Sequence, residues 1–310
     1  MRKIRVCLTG GLGNQLFQYA FAFSFLRGGD IIELDVQLGS AKSDFNGTPE
    51  ILNFIDDTNT RVLSSNYWFF RKKLFNLLLR LSSIGDVKKR KKLISLLYFL
   101  LKTRKEKNWV KSNLLLPNGT GYDKDLMSVD SFNLAIGYFQ SYRWLIDSGR
   151  MKDFADLSIR SMPSTKWIDL SKKENPLVVQ IRLGDYQHET DFGLLSKNYF
   201  NHAIEKVMNA SDIKSIWLFS NDITAARELI SDEYSSLVRE IDSNLTAAET
   251  LQIMRLGAAY VISNSTFGWW GAFLSHSKNP IVVCPYPWFV ELESPSEMCP
   301  PNWLTINPWL

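Results

Sequence analysis

The sequence predicts a two-domain α/β protein built on parallel sheets. Short apolar runs alternate with helical patterns along most of the chain. With 310 residues, 45% of them hydrophobic, the chain can bury two ordinary cores. A polar stretch from Ser161 to Pro176 separates two such alternating series. The expected domains are therefore 1–165 and 166–310, with a cleft between them. Ligands of such sheets bind beyond the carboxyl ends of the strands, so chemistry is sought in the loops that follow strands.

In the first series the strands are Ile4–Leu8, Ile31–Asp35 and Asn133–Ile136. The first runs into Gly10-Gly11-Leu12-Gly13-Asn14-Gln15 and then an apolar helical stretch through Ala20. Glycine-rich backbone approaches a ligand closely, and the helix that follows turns its free N–H groups and positive dipole end toward the loop. An anion, most simply a phosphate, is the expected guest. Two other readings stay open. The glycines can make a tight turn only, or they can be a dinucleotide fingerprint with Asp35 as the ribose-binding acid. Leu16 stands where that fingerprint needs a third small residue, which argues against it. The polar pair Asn14-Gln15, opening an otherwise apolar helix, favours a ligand site.

The formal charge of +4 hides an asymmetry. Residues 71–107 hold 13 Lys/Arg against two acids, a net of +11, which leaves −7 for the rest. This basic, Leu/Phe-rich helical insert fits either a hairpin whose apolar face packs on the domain or a surface lying against anionic lipid headgroups. It carries no nucleic-acid-binding motif. The N-terminus enters a strand directly without a signal-peptide block, and the apolar run near the middle is broken by Ser95 and bounded by Lys92 and Lys102. That is short of the roughly 20 residues that span a bilayer. Three cysteines without metal spacing (Cys7, Cys284 and Cys299) indicate a reducing compartment. The expected location is cytoplasmic, with peripheral contact at the inner membrane face through the insert.

The second series runs through strand Leu177–Ile181, helix Lys197–Met208, strand Ile216–Phe219, helices Thr224–Ile230 and Ala247–Leu256, strand Tyr260–Ile262, a short helix from Trp269 and strand Ile281–Cys284. After Ile181 come Arg182-Leu183-Gly184-Asp185-Tyr186. An arginine at a strand tip is costly without an anionic partner, and its donor fork suits phosphate; an internal Arg182–Asp185 pair is the alternative. After Ile262 come Ser263-Asn264-Ser265-Thr266-Phe267-Gly268, hydroxyls and a helix start that form a second anion nest, or an ordinary N-cap. The Trp269-Trp270 pair reads as core. Asp222, after Ser220-Asn221, reads as a ligand residue or a helix cap, and Glu249 as a purine reader or a solvated carboxylate. The spacing Asp123-Lys124-Asp125 is a weak metal pattern because lysine interrupts it and no strand leads into it. Three scattered histidines make neither a zinc site nor a Ser-His-Asp triad.

Five segments taken together carry a resemblance: Gly10 to Ala20, Gly137-Tyr138-Phe139-Gln140-Ser141, Ile181 to Tyr186, Phe219 to Asp222, and Asn264 to Ala272. In this order they resemble the successive signatures of the α-1,2-fucosyltransferases, glycosyltransferase family 11, of bacterial type. The resemblance implies a GT-B-like fold of two Rossmann-like domains and transfer of L-fucose from GDP-β-L-fucose to a sugar 2-hydroxyl, with inversion and without a metal or other cofactor. It implies catalytic Arg182 on the donor β-phosphate. The acceptor hydroxyl also needs a general base within reach; among the nearby groups Asp185 is preferred to Glu189, Asp191 and His188, the alternative being that Asp185 fixes Arg182. The donor would be bound by Gly11, Gly13, Asn14, Gln15, Asp222, Glu249, Asn264, Ser265, Thr266 and Phe267. The partners would be a GDP-sugar and an oligosaccharide or lipid-linked glycan acceptor such as an O-antigen unit. Two departures stand out: Gln180 and Leu183 replace a histidine and a second arginine of the family pattern, and Thr250 stands where an aspartate is common. They leave another GDP-sugar open as donor. From other classes, a dinucleotide oxidoreductase and a membrane-associated scaffold built on 71–107 are the rivals.

Overall fold

A computed structural model describes residues 2–36, 41–43, 47–63, 76–81, 89, 92, 114–129, 132, 134–159, 163–184, 191–241 and 244–310. The chain forms two compact units, 1–158 with 295–298, and 159–294 with 299–310. The division falls at Ser158/Ile159, ahead of the polar stretch, whose residues Thr165–Glu174 form a helix of the second unit. The second unit also lends a short segment, Pro295–Met298, to the first. Sequence order alone could not show that exchange.

Unit 1 is a five-stranded sheet in the order β3-β2-β1-β5-β4, where β1 is Lys3–Cys7, β2 Ile31–Asp35, β3 Thr60–Leu63, β4 Leu114–Leu115 and β5 Leu134–Ala135. Every pairing is parallel. Helix α1 (Leu12–Ser24) follows β1, and all its residues except Asn14 are buried. A helix apolar almost all round belongs in a core. Phe21 shows why: it stacks on Phe139 with centroids 3.8 Å apart and meets Trp144 edge-on at 4.9 Å. At the other end of β1, Arg2 donates from its backbone N–H and its guanidinium to Asp30, and Arg27 N–H adds a further bond.

In register within the sheet, Arg5 opposes Glu33 and bonds it at 2.8 Å, with Lys3 Nζ 3.1 Å away on the other carboxylate oxygen. Burial pushes the Glu33 carboxyl up, and the bonds from Arg5 and Lys3 outweigh it, holding the group below its ordinary range. The borrowed segment 295–298 is fixed by Glu297, whose backbone oxygen accepts from Ser141 Oγ at 2.8 Å and whose carboxylate accepts from Tyr142 OH at 3.2 Å. Ser296 pairs with Tyr122 through both backbone and side chain. Gly121 is required there, since a Cβ would stand 2.3 Å from Ser296 N.

Unit 2 is a six-stranded parallel sheet in the order β8-β7-β6-β9-β10-β11, with β6 Leu177–Ile181, β7 Ile216–Ser220, β8 Val238–Glu240, β9 Ala259–Ile262, β10 Ile281–Pro285 and β11 Leu304–Ile306. β6 and β9 are buried along their whole length, as strands covered on both faces must be. Strand order reverses between β6 and β9, which makes their carboxyl ends the switch point of the sheet. Trp269 and Trp270 are fully buried; Trp269 stacks on Phe273 at 4.4 Å, so the pair is core as expected. The thiols of Cys284, in β10, and Cys299 lie 3.1 Å apart as free cysteines.

The basic insert 71–107 falls mostly outside the described residues. Within 76–81, a helical turn buries Leu78 and Leu81 and exposes Leu77, so this turn packs an apolar face inward. Lys89 and Lys92 are exposed. Among the described residues no helix is long and apolar enough to cross a membrane.

The Arg2–Asp30 cluster gives this fold a pH signature. The Arg2 hydrogen bond, helped by the two backbone N–H groups, holds the Asp30 carboxyl at about 2. A carboxyl depressed in the folded state stabilises above its unfolded value of about 4, and that contribution is lost as pH falls toward the folded value. Thermal melts of Asp30→Asn should therefore show a lower Tm than wild type at pH 7, and the gap should close between about pH 4 and pH 2. A gap that is constant with pH would mean that the carboxylate charge contributes nothing.

Candidate functional site

At the carboxyl edge of unit 1, three side-chain amides from the first turns of α1 hold the surrounding loops. Gln15, fully buried, donates from Nε2 to the carbonyls of Gly10 (2.8 Å) and Lys42 (3.0 Å) and accepts from Ile51 N–H (3.0 Å). Gln18 accepts from Thr9 N–H and donates to the Gly137 carbonyl. Asn14, half-buried, accepts on Oδ1 from Gln140 Nε2 at 3.0 Å. The loops after β1, β2 and β5 are thereby tied to one helix.

The sequence places an anion at the N-terminus of α1, and the structure supplies one from the protein itself. Glu50 Oε2 accepts from Leu12 N–H at 2.6 Å. Glu50 opens helix α2 (Glu50–Phe54) and stands beside Gly11, where a Cβ would come within 3.4 Å of its carboxylate. A carboxylate at this position meets an orphan N–H and the positive dipole end. Gly11 is the N-cap and Gly13 lies buried in the first turn. At Leu12 N–H the anion is thus Glu50, and Gln15 is committed to bracing. Asn14 alone of the pair keeps a side chain at the surface. Glu50 escaped sequence reading because it lies 38 residues from its partner.

The neighbouring loop 137–142 is held in an unusual shape. Phe139 has φ of +54°, which a side-chain-bearing residue adopts at a cost of about 1–3 kcal/mol. Stacking on Phe21 and the bond from Trp144 Nε1 to its carbonyl at 3.0 Å hold it there. Gln140 follows directly, 6% exposed, its N–H bonded to the Thr120 carbonyl at 2.7 Å.

In unit 2 the site is built at the switch point. β6 and β9 are in register through Gln180 and Ile262, so Arg182 and the loop from Ser263 leave adjacent strands about 4.8 Å apart. Arg182 is half-buried. The turn after it is set by Asn221, whose Oδ1 accepts from Leu183 N–H at 3.0 Å. Gly184 has φ of +59°, and a Cβ there would stand 2.2 Å from Asn221 Nδ2. Asn221, quoted within its motif but not picked out by sequence reasoning, is therefore the residue that aims this turn. Asp185, Glu189 and His188 lie outside the described residues, and Asp191 is exposed.

The departure at Gln180 and Leu183 has a structural account. Leu183 is 6% exposed and packs in the core with Leu195 and Tyr199, so its side chain serves the core. Gln180 accepts from Ser263 Oγ at 2.8 Å, beneath Gly268, where a Cβ would stand 2.4 Å from its Oε1. It braces the nest from below.

The four helices that follow β6, β7, β8 and β9 differ in how their first turns are satisfied. In α3 (Lys197–Ala210) Ser196 caps, in α4 (Ile223–Glu228) Asp222 caps, and in α5 (Ala247–Met254) Thr246 and Glu249 form a capping box. In α6 (Thr266–Phe273) the N-cap is Ser265, and its side chain makes no capping bond. Asp222 is thus a helix cap, with Oδ1 accepting from Ala225 N–H. Glu249 accepts from Thr246 N–H and Oγ1, and the hydroxyl bond holds its carboxyl below the ordinary range. Asn264, almost fully buried, donates to the carbonyls of Phe192 and Gly193, fixing the segment that follows Asp191. Ser265 is buried, while Thr266 and Phe267 are half-buried at the helix start. The open first turn of α6, beside Arg182, is what this edge offers an anion. Asp123, of the weak metal pattern, accepts from Asn118 N–H and Asp125 N–H as the cap of a short 3-10 helix, Lys124–Ser128. Asp35 lies buried at the end of β2.

The family model for Glycosyl transferase family 11 matches residues 3–307. The chain is 26% identical over 181 residues to an α-1,2-colitosyltransferase of Escherichia coli, a match covering 56% of this chain and 62% of that protein, under two thirds of its length. It is 27% identical over 322 aligned positions to the O-antigen biosynthesis glycosyltransferase WbnK of Escherichia coli, covering 97% and 99% of the two. Among solved structures it is similar to the fucosyltransferase NodZ from Bradyrhizobium, with a TM-score of 0.47 and 13% identity over 87% of this chain and 92% of that one.

Replacing Glu50 tests the internal anion. Glu50→Ala leaves Leu12 N–H without its acceptor and should lower unfolding free energy by about 1–2 kcal/mol in urea titrations. Gly268→Ala should displace Gln180 and weaken phosphate-ligand affinity at least tenfold in calorimetry; unchanged affinity would show that the Gln180 brace does not support the nest.

Proposed function

The chain belongs to glycosyl transferase family 11, and from that premise we propose that it transfers L-fucose from GDP-β-L-fucose to the 2-hydroxyl of a galactose residue in a bacterial surface glycan. The observation that carries this reading is the uncapped N-terminus of α6 beside Arg182 at the switch point of unit 2. Breaking the bond between a sugar and a nucleoside diphosphate develops negative charge on the leaving phosphate. Arg182 and the first N–H groups of α6 are donors fixed before the reaction, and such donors act most strongly where charge develops. Their combined field lets the transfer proceed without a metal. The acceptor hydroxyl loses its proton to a base within hydrogen-bond reach, and Asp185, three residues after Arg182, is the residue we assign to it. Inversion follows from attack on the face opposite the diphosphate.

The name of one relative, an O-antigen biosynthesis glycosyltransferase, supports a surface-glycan acceptor. The basic insert 71–107 would hold the enzyme against the inner membrane face that carries a lipid-linked acceptor. The other relative is named for transfer of a different sugar, colitose, and Leu183 leaves the site with one arginine where the family pattern has two. A second GDP-sugar donor is therefore the alternative reading.

Purified protein incubated with GDP-fucose and galactose-terminated oligosaccharides should form a fucosylated product; no transfer and no donor hydrolysis across a broad acceptor panel would sink the proposal. Calorimetry with GDP-fucose against GDP-mannose separates the two donor readings. Arg182→Ala should reduce kcat/KM by about 100-fold or more, the scale seen on losing a donor to transition-state charge, while Tm stays within about 2 °C. A variant that keeps most of its activity would remove Arg182 from the phosphate site.

A further inference from the structure

We propose that Asn14 and Gln140 together read one hydroxyl group of a sugar substrate, an inference that rests on the transferase reading above. Of the three amides that α1 presents to its loops, Gln15 and Gln18 have both ends of the carboxamide bonded within the protein. The Asn14–Gln140 pair has one shared bond, from Gln140 Nε2 to Asn14 Oδ1 at 3.0 Å. In that bond Gln140 is the donor and Asn14 the acceptor. It leaves Asn14 Nδ2 as a donor with no acceptor among the described residues, on a half-buried side chain. It leaves Gln140 Oε1 as a buried acceptor with no hydrogen-bond partner among the described residues, on a side chain 6% exposed. A hydroxyl accepts and donates at once, and so completes both groups.

The surroundings select a neutral ligand. Glu50 places its carboxylate on Leu12 N–H, two residues before Asn14, and the Gln140 carbonyl is itself an oxygen acceptor; both oppose a phosphate here. The backbone on each side is also held in shapes that serve this geometry. Gly10, at φ +71°, leaves the space in which Asn14 Nδ2 sits, 2.7 Å from where a Cβ would be. Phe139, at φ +54°, sets the direction in which Gln140 leaves the chain. Gln140 thereby acts in two ways, orienting Asn14 through Nε2 and accepting the substrate's hydroxyl proton through Oε1. The hydroxyl belongs either to the donor sugar or to the acceptor sugar.

The test compares wild type, Gln140→Leu and, should that variant fail to fold, Asn14→Ala. The KM is measured for GDP-fucose and for a galactose-terminated disaccharide, with the Kd for GDP measured by calorimetry. One KM should rise at least tenfold while the GDP Kd stays within twofold; the KM that rises identifies the substrate bearing the hydroxyl. Singly deoxygenated analogues of that substrate give the sharper readout. One analogue should be at least tenfold poorer than its parent for wild type and no poorer than its parent for the variant, a loss of discrimination that a merely structural role does not produce. Both KM values within twofold of wild type, or unaltered discrimination, would overturn the inference. Should wild type transfer no sugar, the transferase reading fails by itself, and saturation-transfer NMR with methyl β-D-galactopyranoside and L-fucose then decides: binding lost in the variant supports the pair, whereas binding unchanged in the variant or absent from wild type refutes it.

Discussion

The hydrogen bond from Leu12 N–H to Glu50 is the contact on which the organisation of unit 1 depends. It meets the charge demand of the α1 N-terminus with a side chain of the protein, and it does so from the start of α2, so the long connection after β2 is pinned to the loop after β1. Gln15 then bonds Gly10, Lys42 and Ile51 across the same junction. With the anion provided internally, the glycine-rich loop can be held tightly without a ligand. An aromatic core of Phe21, Phe139 and Trp144 backs it from the other side.

Unit 2 follows the opposite logic. Its sheet is all parallel, and four helices start at the edge where ligands bind. Three of those starts are closed by Ser196, Asp222 and the Thr246–Glu249 box, and the fourth carries no side-chain cap. Bracing from Gln180, Asn221 and Asn264 shapes the turns around it without occupying it. Among the described residues, the start of α1 thus receives the Glu50 carboxylate, whereas Ser265 makes no capping bond at the start of α6, which follows the strand next to that of Arg182.

Much of this was legible in the sequence. Apolar runs located β1, β2, β5, β6, β7, β9 and β10, and the loop placement of Arg182 and Ser265 followed from where those strands end. Short edge strands were not legible: β3, β4, β8 and β11 have two to four residues and lack a long apolar run. Helix α6 begins at Thr266, three residues ahead of expectation, because Gly268 was read as part of the loop when it is the point of closest approach to Gln180. The site was read by residue type, and type alone does not tell a ligand group from a brace. Gln15, Asp222 and Glu249 have the chemistry of ligand residues, yet their bonds run to Gly10, Ala225 and Thr246. The partners that decide this, such as Glu50 for Leu12 or Gln140 for Asn14, lie 38 and 126 residues away.

The short return of Pro295–Met298 to unit 1 has a consequence for how such proteins can diversify. Neither unit is a single contiguous stretch of chain, since Glu297 and Ser296 complete the ring of loops around Tyr122, Ser141 and Tyr142. Cutting the gene at the boundary near 158 would therefore leave unit 1 without its last four residues, which stay on the fragment that carries unit 2. Recombination that swaps one unit between relatives has to carry a second, distant exchange of four residues, with Gly121 retained to receive them. Change of specificity in this architecture is thereby channelled toward substitution within loops and away from shuffling of whole domains.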